Sequence, residues 1–280
     1  MTNNKFLQAK YNLERTLDGY KPLAIPNFVI NDDLSIDVFG DVVLEDMDYH
    51  KIPYKFRNVH GNFSIGKNRL ITLENAPEFV SGNFYCNSNE LKSLYGGPKI
   101  VNGDFYCNNN NLTTLKYAPK IVSGDFLCGN NSIKSLRFLS KGIKGFYGSY
   151  NKIEKIIGLP KIMNGDLILL DNNIIDFNGL PEIINGNCNL ASYTISRIKD
   201  LTKMPKVIKG DLNLHNVCVE SLNNNFEYIK DNVKINVWCD EFGIKNESEL
   251  ILSLMDLQNI KISYDLKNGI ANKPIKKIKI

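Results

Sequence analysis

Three cysteines, Cys86, Cys107 and Cys128, stand 21 residues apart. Thiols at equal spacing could line up to hold zinc or to oxidise in pairs. The spacing has a plainer source, because each cysteine fills a position that Ile65 and Leu169 fill elsewhere. We read them as small buried hydrophobes with free thiols. His50, His60 and His215 fall in no metal or triad spacing, and no C-x-x-C, G-x-x-x-x-G-K-[ST] or G-x-G-x-x-G occurs. No catalytic residue, metal site or cofactor is therefore expected, and the chain reads as a non-enzyme. Binding chemistry is better represented. Tyr85, Tyr106, Leu127, Tyr147 and Ile168 recur at one offset, and Asp104, Asp125 and Asp166 recur at another. Contiguous exposed tyrosines give large contact area at low entropic cost. Like charges one strand apart repel, so the aspartates must be solvated, bonded to turn amides, or facing a basic partner or cation.

These residues are positioned by a repeat. Glycines fall at 40, 61, 82, 103, 124, 145, 165, 186 and 210, at intervals of 21, 21, 21, 21, 21, 20, 21 and 24. The unit from Gly103 reads GDFYCNNNNLTTLKYAPKIVS. Apolar residues two and four past each Gly alternate with polar ones, which is the period of a short strand with one buried face. Phe63, Phe84, Phe105 and Phe126 form the first of these columns. A further column is Asn, at 68, 89, 110, 131, 151 and 172. It predicts an amide ladder in which each side chain bonds the backbone of its own and the next coil. Prolines at 77, 98, 119, 160, 181 and 205, with Ser140 as the substitution, favour an extended return. The glycines suit a tight turn into the strand. One unit cannot bury its apolar side chains, but stacked copies share a core. Nine coils at about 4.8 Å make a rod of roughly 40 Å. The unit at Gly145 lacks one residue before Phe146, which either bends the array or is drift.

The pattern G-D-F-x-C-x-x-N-x-L-x-x-L-x-x-x-P-x-x-V resembles leucine-rich repeats. It is most similar to the proline-bearing subtype of 20 to 21 residues, found as GDFxCxxN repeats in many bacteriophage-encoded proteins. The lead-in INDDLSIDVFGDVVL is also similar to the segment before the repeats in those proteins. The fold implied is a leucine-rich-repeat solenoid, with a parallel β-sheet on one face, a mostly non-helical return face and helical caps. Residues 1–30 are expected as an N-terminal helical cap, 31–230 as an array of about nine coils, and 231–280 as a C-terminal cap. Phe6, Ala9, Leu13 and Leu17 share one helical face. Asn246 with Glu249 looks like a capping box opening a helix to about Gln258, ahead of a basic tail.

The function expected is docking of a protein partner on the strand face, through Tyr85, Tyr106, Leu127, Tyr147 and Ile168, with Asp104, Asp125 and Asp166 setting charge register. The resemblance implies a phage protein that engages or inhibits a host protein, such as a defence enzyme, in the host cytoplasm. The alternative is a virion structural or assembly component acting by self-association, and the oligomeric state stays open. No run of eighteen apolar residues occurs, so no membrane span is expected. The net charge of +4 implies no partner by itself. Lys99, Lys120, Lys161 and Lys206 make a basic edge that a phosphate backbone could track. Glu78 and Glu182 interrupt that edge and no aromatic platform accompanies it in the sequence, which argues against nucleic acid.

Overall fold

The structure, a computed structural model, describes residues 27–193, 196–214, 217–219, 228–229, 232–234 and 261–262. The helices expected at residues 3–18 and 246–258, and the basic tail, lie outside these residues. Within the described residues the chain winds as a coil of two- to four-residue strands with no helix. The front sheet has eleven strands, all parallel. It runs from Val42–Val43 through Phe63–Ser64, Phe84–Tyr85, Phe105–Tyr106, Phe126–Leu127, Phe146–Tyr147 and Leu167–Ile168 to Lys261–Ile262. This is a parallel-sheet solenoid built from turns of about 21 residues. Register places Phe63, Phe84, Phe105, Phe126 and Phe146 opposite one another. Their rings form a buried file, with centroids 5.4, 5.4, 5.1 and 6.0 Å apart. Leu70, Leu91, Leu112 and Ile133 fill the far wall, so each coil completes the core of its neighbours.

The return side is more ordered than the prolines imply. Phe79–Val80, Ile100–Val101 and Ile121–Val122 pair in parallel and form a second sheet just ahead of the front strands. That sheet begins with an antiparallel hairpin, Phe28–Ile30 against Ile36–Val38. Residues 28–30 are thus strand within the segment expected as a helical cap. The sheet breaks once. After Ile121–Val122 only an isolated bridge, Ile121 to Lys141, continues it, and pairing resumes at Ile162–Met163. The missing residue explains the break, and it lies between Lys141 and Lys144 rather than just before Phe146. Lys144 N donates to Gly124 O and Gly165 N to Lys144 O, which are the bonds of the glycine column. Gly145 therefore stands in the aspartate column. The front sheet crosses this coil without interruption. Ser140 replaces proline by donating its hydroxyl to Pro119 O at 2.6 Å.

The expected amide ladder forms, pointing the other way. Asn110 Nδ2 donates to Cys107 O of its own coil (3.1 Å) and Cys86 O of the preceding coil (3.0 Å), while its Oδ1 accepts from Leu91 N (3.0 Å). Asn89, Asn131 and Asn151 repeat the pattern. Among the described residues no buried side-chain nitrogen or oxygen lacks a partner. The ladder needs a sharp corner, and the residue before each Asn turns it in the left-handed region. Lys67, Ser88, Asn109, Asn130, Tyr150 and Asp171 all have φ between 53° and 56°. A Cβ there costs about 1–2 kcal/mol, against the extra flexibility glycine brings to the unfolded chain. Ser88→Gly is therefore expected to stabilise the fold by about 0.5–1 kcal/mol. Asn109→Gly should gain less, because asparagine tolerates this conformation. Urea midpoints of the two variants check the order.

Candidate functional site

The front strands carry the candidate site on the residues that point away from the core. Ser64, Tyr85, Tyr106, Leu127, Tyr147, Ile168 and Asn189 occupy one register line. The structure thus brings Tyr85, Tyr106, Leu127, Tyr147 and Ile168 into a single half-buried file. Tyr85 and Tyr106 stack at 4.6 Å between centroids, 22° from parallel. Each Phe beneath faces the core, so the Tyr above has no choice of side: strand alternation sends it outward.

The aspartates sit one residue earlier and do two jobs. With their Oδ1 atoms they build a second ladder. Asp104 accepts from Asp125 N (2.8 Å), Asp125 from Gly145 N (2.8 Å), and Asp166 from Asn187 N (2.7 Å). Asn62 and Asn83 take the same role with the same atom. Aspartate and asparagine alternate freely here because only one acceptor oxygen is used. The second oxygen of the aspartates is left for the surface. Tyr106 Oη donates to Asp104 Oδ2 and Tyr147 Oη to Asp166 Oδ2, both at 3.2 Å. Tyr147 reaches to the following coil because its own coil carries Gly145 where an aspartate would stand.

Electrostatics follow from this geometry. Among the described residues no cation lies within ion-pair distance of Asp104, Asp125 or Asp166. Partial burial, then the charges of Asp104 and Asp166, push the Asp125 carboxyl above its ordinary value, opposed by the Gly145 amide and by the charge of Lys144. Burial and the neighbouring carboxylates push the Tyr106 and Tyr147 hydroxyls up to about 12, so both remain protonated donors. Asp125→Asn should keep the bond from Gly145 N and remove the strained charge. A raised carboxyl pKa means the folded state holds its proton more tightly than the unfolded one, so the stability penalty sets in as pH rises through that range. The variant is expected to be more stable than the parent at neutral pH by less than about 1 kcal/mol, since solvent screens the site. The gain should shrink as pH falls toward the ordinary aspartate value of about 4 and vanish below about pH 3, where both states of the parent are protonated. Thermal melts across pH check both statements.

The cysteines behave as small hydrophobes. Cys86, Cys107, Cys128 and Cys188 are free and fully buried. Burial pushes all four thiols up, Cys188 to about 12, which keeps them far from the reactive thiolate. Among the described residues no group of three or more His, Cys, Asp or Glu could hold a metal ion, and no helix is long and apolar enough to cross a membrane.

One feature on the opposite side is missed by column reading. Tyr95, Tyr117 and Phe138 are each about half exposed, at 49%, 49% and 47%. They lie on the turns that lead into the lysine edge. Exposed rings therefore do accompany that edge, although the sequence columns show no aromatic stacking platform there. Tyr95 sits one column earlier than Tyr117 and Phe138, which hides the file in the sequence; its ring nevertheless meets Tyr117 edge-on at 5.4 Å.

No protein-family model matches the chain. No curated protein matches it. Among solved structures, the chain is similar to YopM from Yersinia enterocolitica WA-314, with 15% identity, a TM-score of 0.28, and coverage of 70% of this chain and 64% of that one. The match thus spans a little under two thirds of the length of that structure.

Proposed function

We propose that the chain is a non-enzymatic docking module whose front face binds a protein partner bearing basic side chains. The observation that carries this reading is the file of Asp104, Asp125 and Asp166 interleaved with Tyr106 and Tyr147 on the outward side of the sheet, with no ion pair to any of the three carboxylates among the described residues. At the centre, Gly145 stands where an aspartate would, between the Asp125 and Asp166 carboxylates, which one lysine or arginine of the partner could bridge. Tyrosine and charge together supply contact area and register. Leu127 and Ile168 add apolar surface along the same file. The resemblance of the repeats to phage-encoded proteins supports a partner in a bacterial host's cytoplasm, with inhibition of that partner as the role.

The ladder chemistry supplies a clean test. Asp104→Asn, Asp125→Asn and Asp166→Asn together remove three charges while keeping every Oδ1 acceptor, and Tyr106→Asn introduces the residue that Asn189 already places in that file. Capture of host proteins by the parent chain, with loss of the same proteins by this variant, supports the reading. Equal capture by parent and variant rejects the face. A defined homo-oligomer in solution that the variant dissociates would instead support self-association through this surface.

A further inference from the structure

The return side carries charge of the opposite sign. Between residues 92 and 161 the chain holds eleven Lys and Arg against three acids, and two of those acids, Asp104 and Asp125, are on the front face. The lysines are ordered. Lys120 N donates to Lys99 O (2.9 Å) and Lys141 N to Lys120 O (3.1 Å), so these residues occupy one column in successive coils, and Lys161 follows in the next. Side-by-side strands put such neighbours about 4.8 Å apart, where like charges repel. The ends of the file are neutralised: Lys99 pairs with Glu78 at 2.6 Å and Lys161 with Glu182 at 3.6 Å. Lys120 and Lys141, in the middle, are exposed and have no ion pair.

Beside this rail run the exposed rings of Tyr95, Tyr117 and Phe138. Lys116 Nζ lies 4.9 Å from the centre of the Tyr117 ring and the Arg137 guanidinium 5.5 Å from that of Phe138, so each ring has a further cation against it. Tyr95, Tyr117, Lys99 and Lys120 line an open groove of about 410 Å³ together with Lys55, and its one acidic residue, Glu78, is the partner of Lys99. A rail of cations with flat rings alongside fits a ligand that alternates anionic charge with planar apolar surface. A nucleotide chain does this; a chain of carboxylates supplies the charge alone. We infer that the return face binds single-stranded nucleic acid, with phosphates on Lys120 and Lys141 and bases on Tyr117 and Phe138. This surface is separate from the front face and stands or falls independently of it.

The test is fluorescence anisotropy of a labelled oligothymidylate of about 12 nucleotides, titrated with the full chain between about 50 and 200 mM salt. Saturable binding that weakens with salt is expected. Lys120→Gln with Lys141→Gln should lower the steepness of the log–log salt dependence by about 1.4, or 0.7 per lost phosphate contact. Tyr117→Ser with Phe138→Ser should weaken binding by about fivefold or more per ring, with the salt dependence unchanged. Tyr106→Asn, on the front face, should leave binding as it was. All of these positions are exposed or half-exposed, and matching thermal melts confirm that the variants fold. Absence of saturable binding overturns the inference. So does binding that survives loss of both rings while polyglutamate or anionic vesicles bind equally well, since the rail would then be a general anion surface.

Discussion

Asn110→Asp is expected to be among the most damaging single-atom changes available to this protein, at about 3–5 kcal/mol near neutral pH. Asn110 is buried, and its Nδ2 donates to the carbonyls of Cys86, Cys107 and Asn108. A carboxylate would turn an oxygen toward those oxygens and leave them without a donor. Acid should relieve the defect, because a protonated carboxyl recovers one donor; the introduced group binds its proton more tightly folded than unfolded, so the deficit narrows as pH falls. The reverse exchange in the outer ladder, Asp104→Asn, is expected to change stability by less than about 0.5 kcal/mol, because the bond from Asp125 N needs only an oxygen. Urea unfolding of both variants at neutral and mildly acid pH measures the contrast. Equal costs would mean that the two ladders do not differ in the way their hydrogen bonds indicate.

That contrast shows which parts of the structure can be read from residue type. The inner column is Asn in six coils because donor and acceptor are both used, and so the ladder is visible in the sequence. The outer column mixes Asp and Asn, which reads as a merely polar surface until the shared Oδ1 bond is seen. The Phe file and the front sheet are legible for a similar reason, since burial of a large ring at a fixed offset tolerates few substitutes. The return sheet is not legible. Its repeating strands, such as Phe79–Val80, Ile100–Val101 and Ile121–Val122, bury only one residue each, too few to show alternation, and they pair because neighbouring coils are already held in place by the front sheet. The left-handed corner is hidden further, because Lys67, Ser88, Asn109, Tyr150 and Asp171 share a backbone angle and no side-chain chemistry. For the candidate site, the offsets are enough to place Tyr85 to Ile168 in one file. They do not show that Tyr147 reaches forward to Asp166, which depends on a coil whose shortened return stroke moves Gly145 into the aspartate column. The aromatic file beside the lysines is lost for the same kind of reason: it crosses columns.

The glycine column has a cause that no local reading supplies, and it yields the second large effect. A glycine opening a strand suggests a turn of unusual backbone angle, yet Gly103 is not among the residues with positive φ. What excludes a side chain is the neighbouring coil. A Cβ on Gly103 would lie 2.1 Å from Asn83 Oδ1 and 2.7 Å from the carbonyl carbon and oxygen of Gly82. Those atoms belong to the bonds that set the stacking distance, Gly103 N to Gly82 O at 3.0 Å and Asp104 N to Asn83 Oδ1 at 2.8 Å. Gly103→Ala must therefore part the coils on the front sheet, at an expected cost of about 3 kcal/mol. Gly129→Ser, at an offset where other coils carry Asn87, Asn108 and Ser149, should be nearly silent; the nearest atom to its Cβ is Ser149 O at 3.2 Å. Adding Asn83→Ala to Gly103→Ala separates two causes. If the amide were the obstacle, its removal would restore stability, whereas contact with the Gly82 backbone leaves the double variant as unstable as the single or worse. Lys144 shows what tolerance requires: it holds the same place in the stack, and its coil is the one whose return strand is broken.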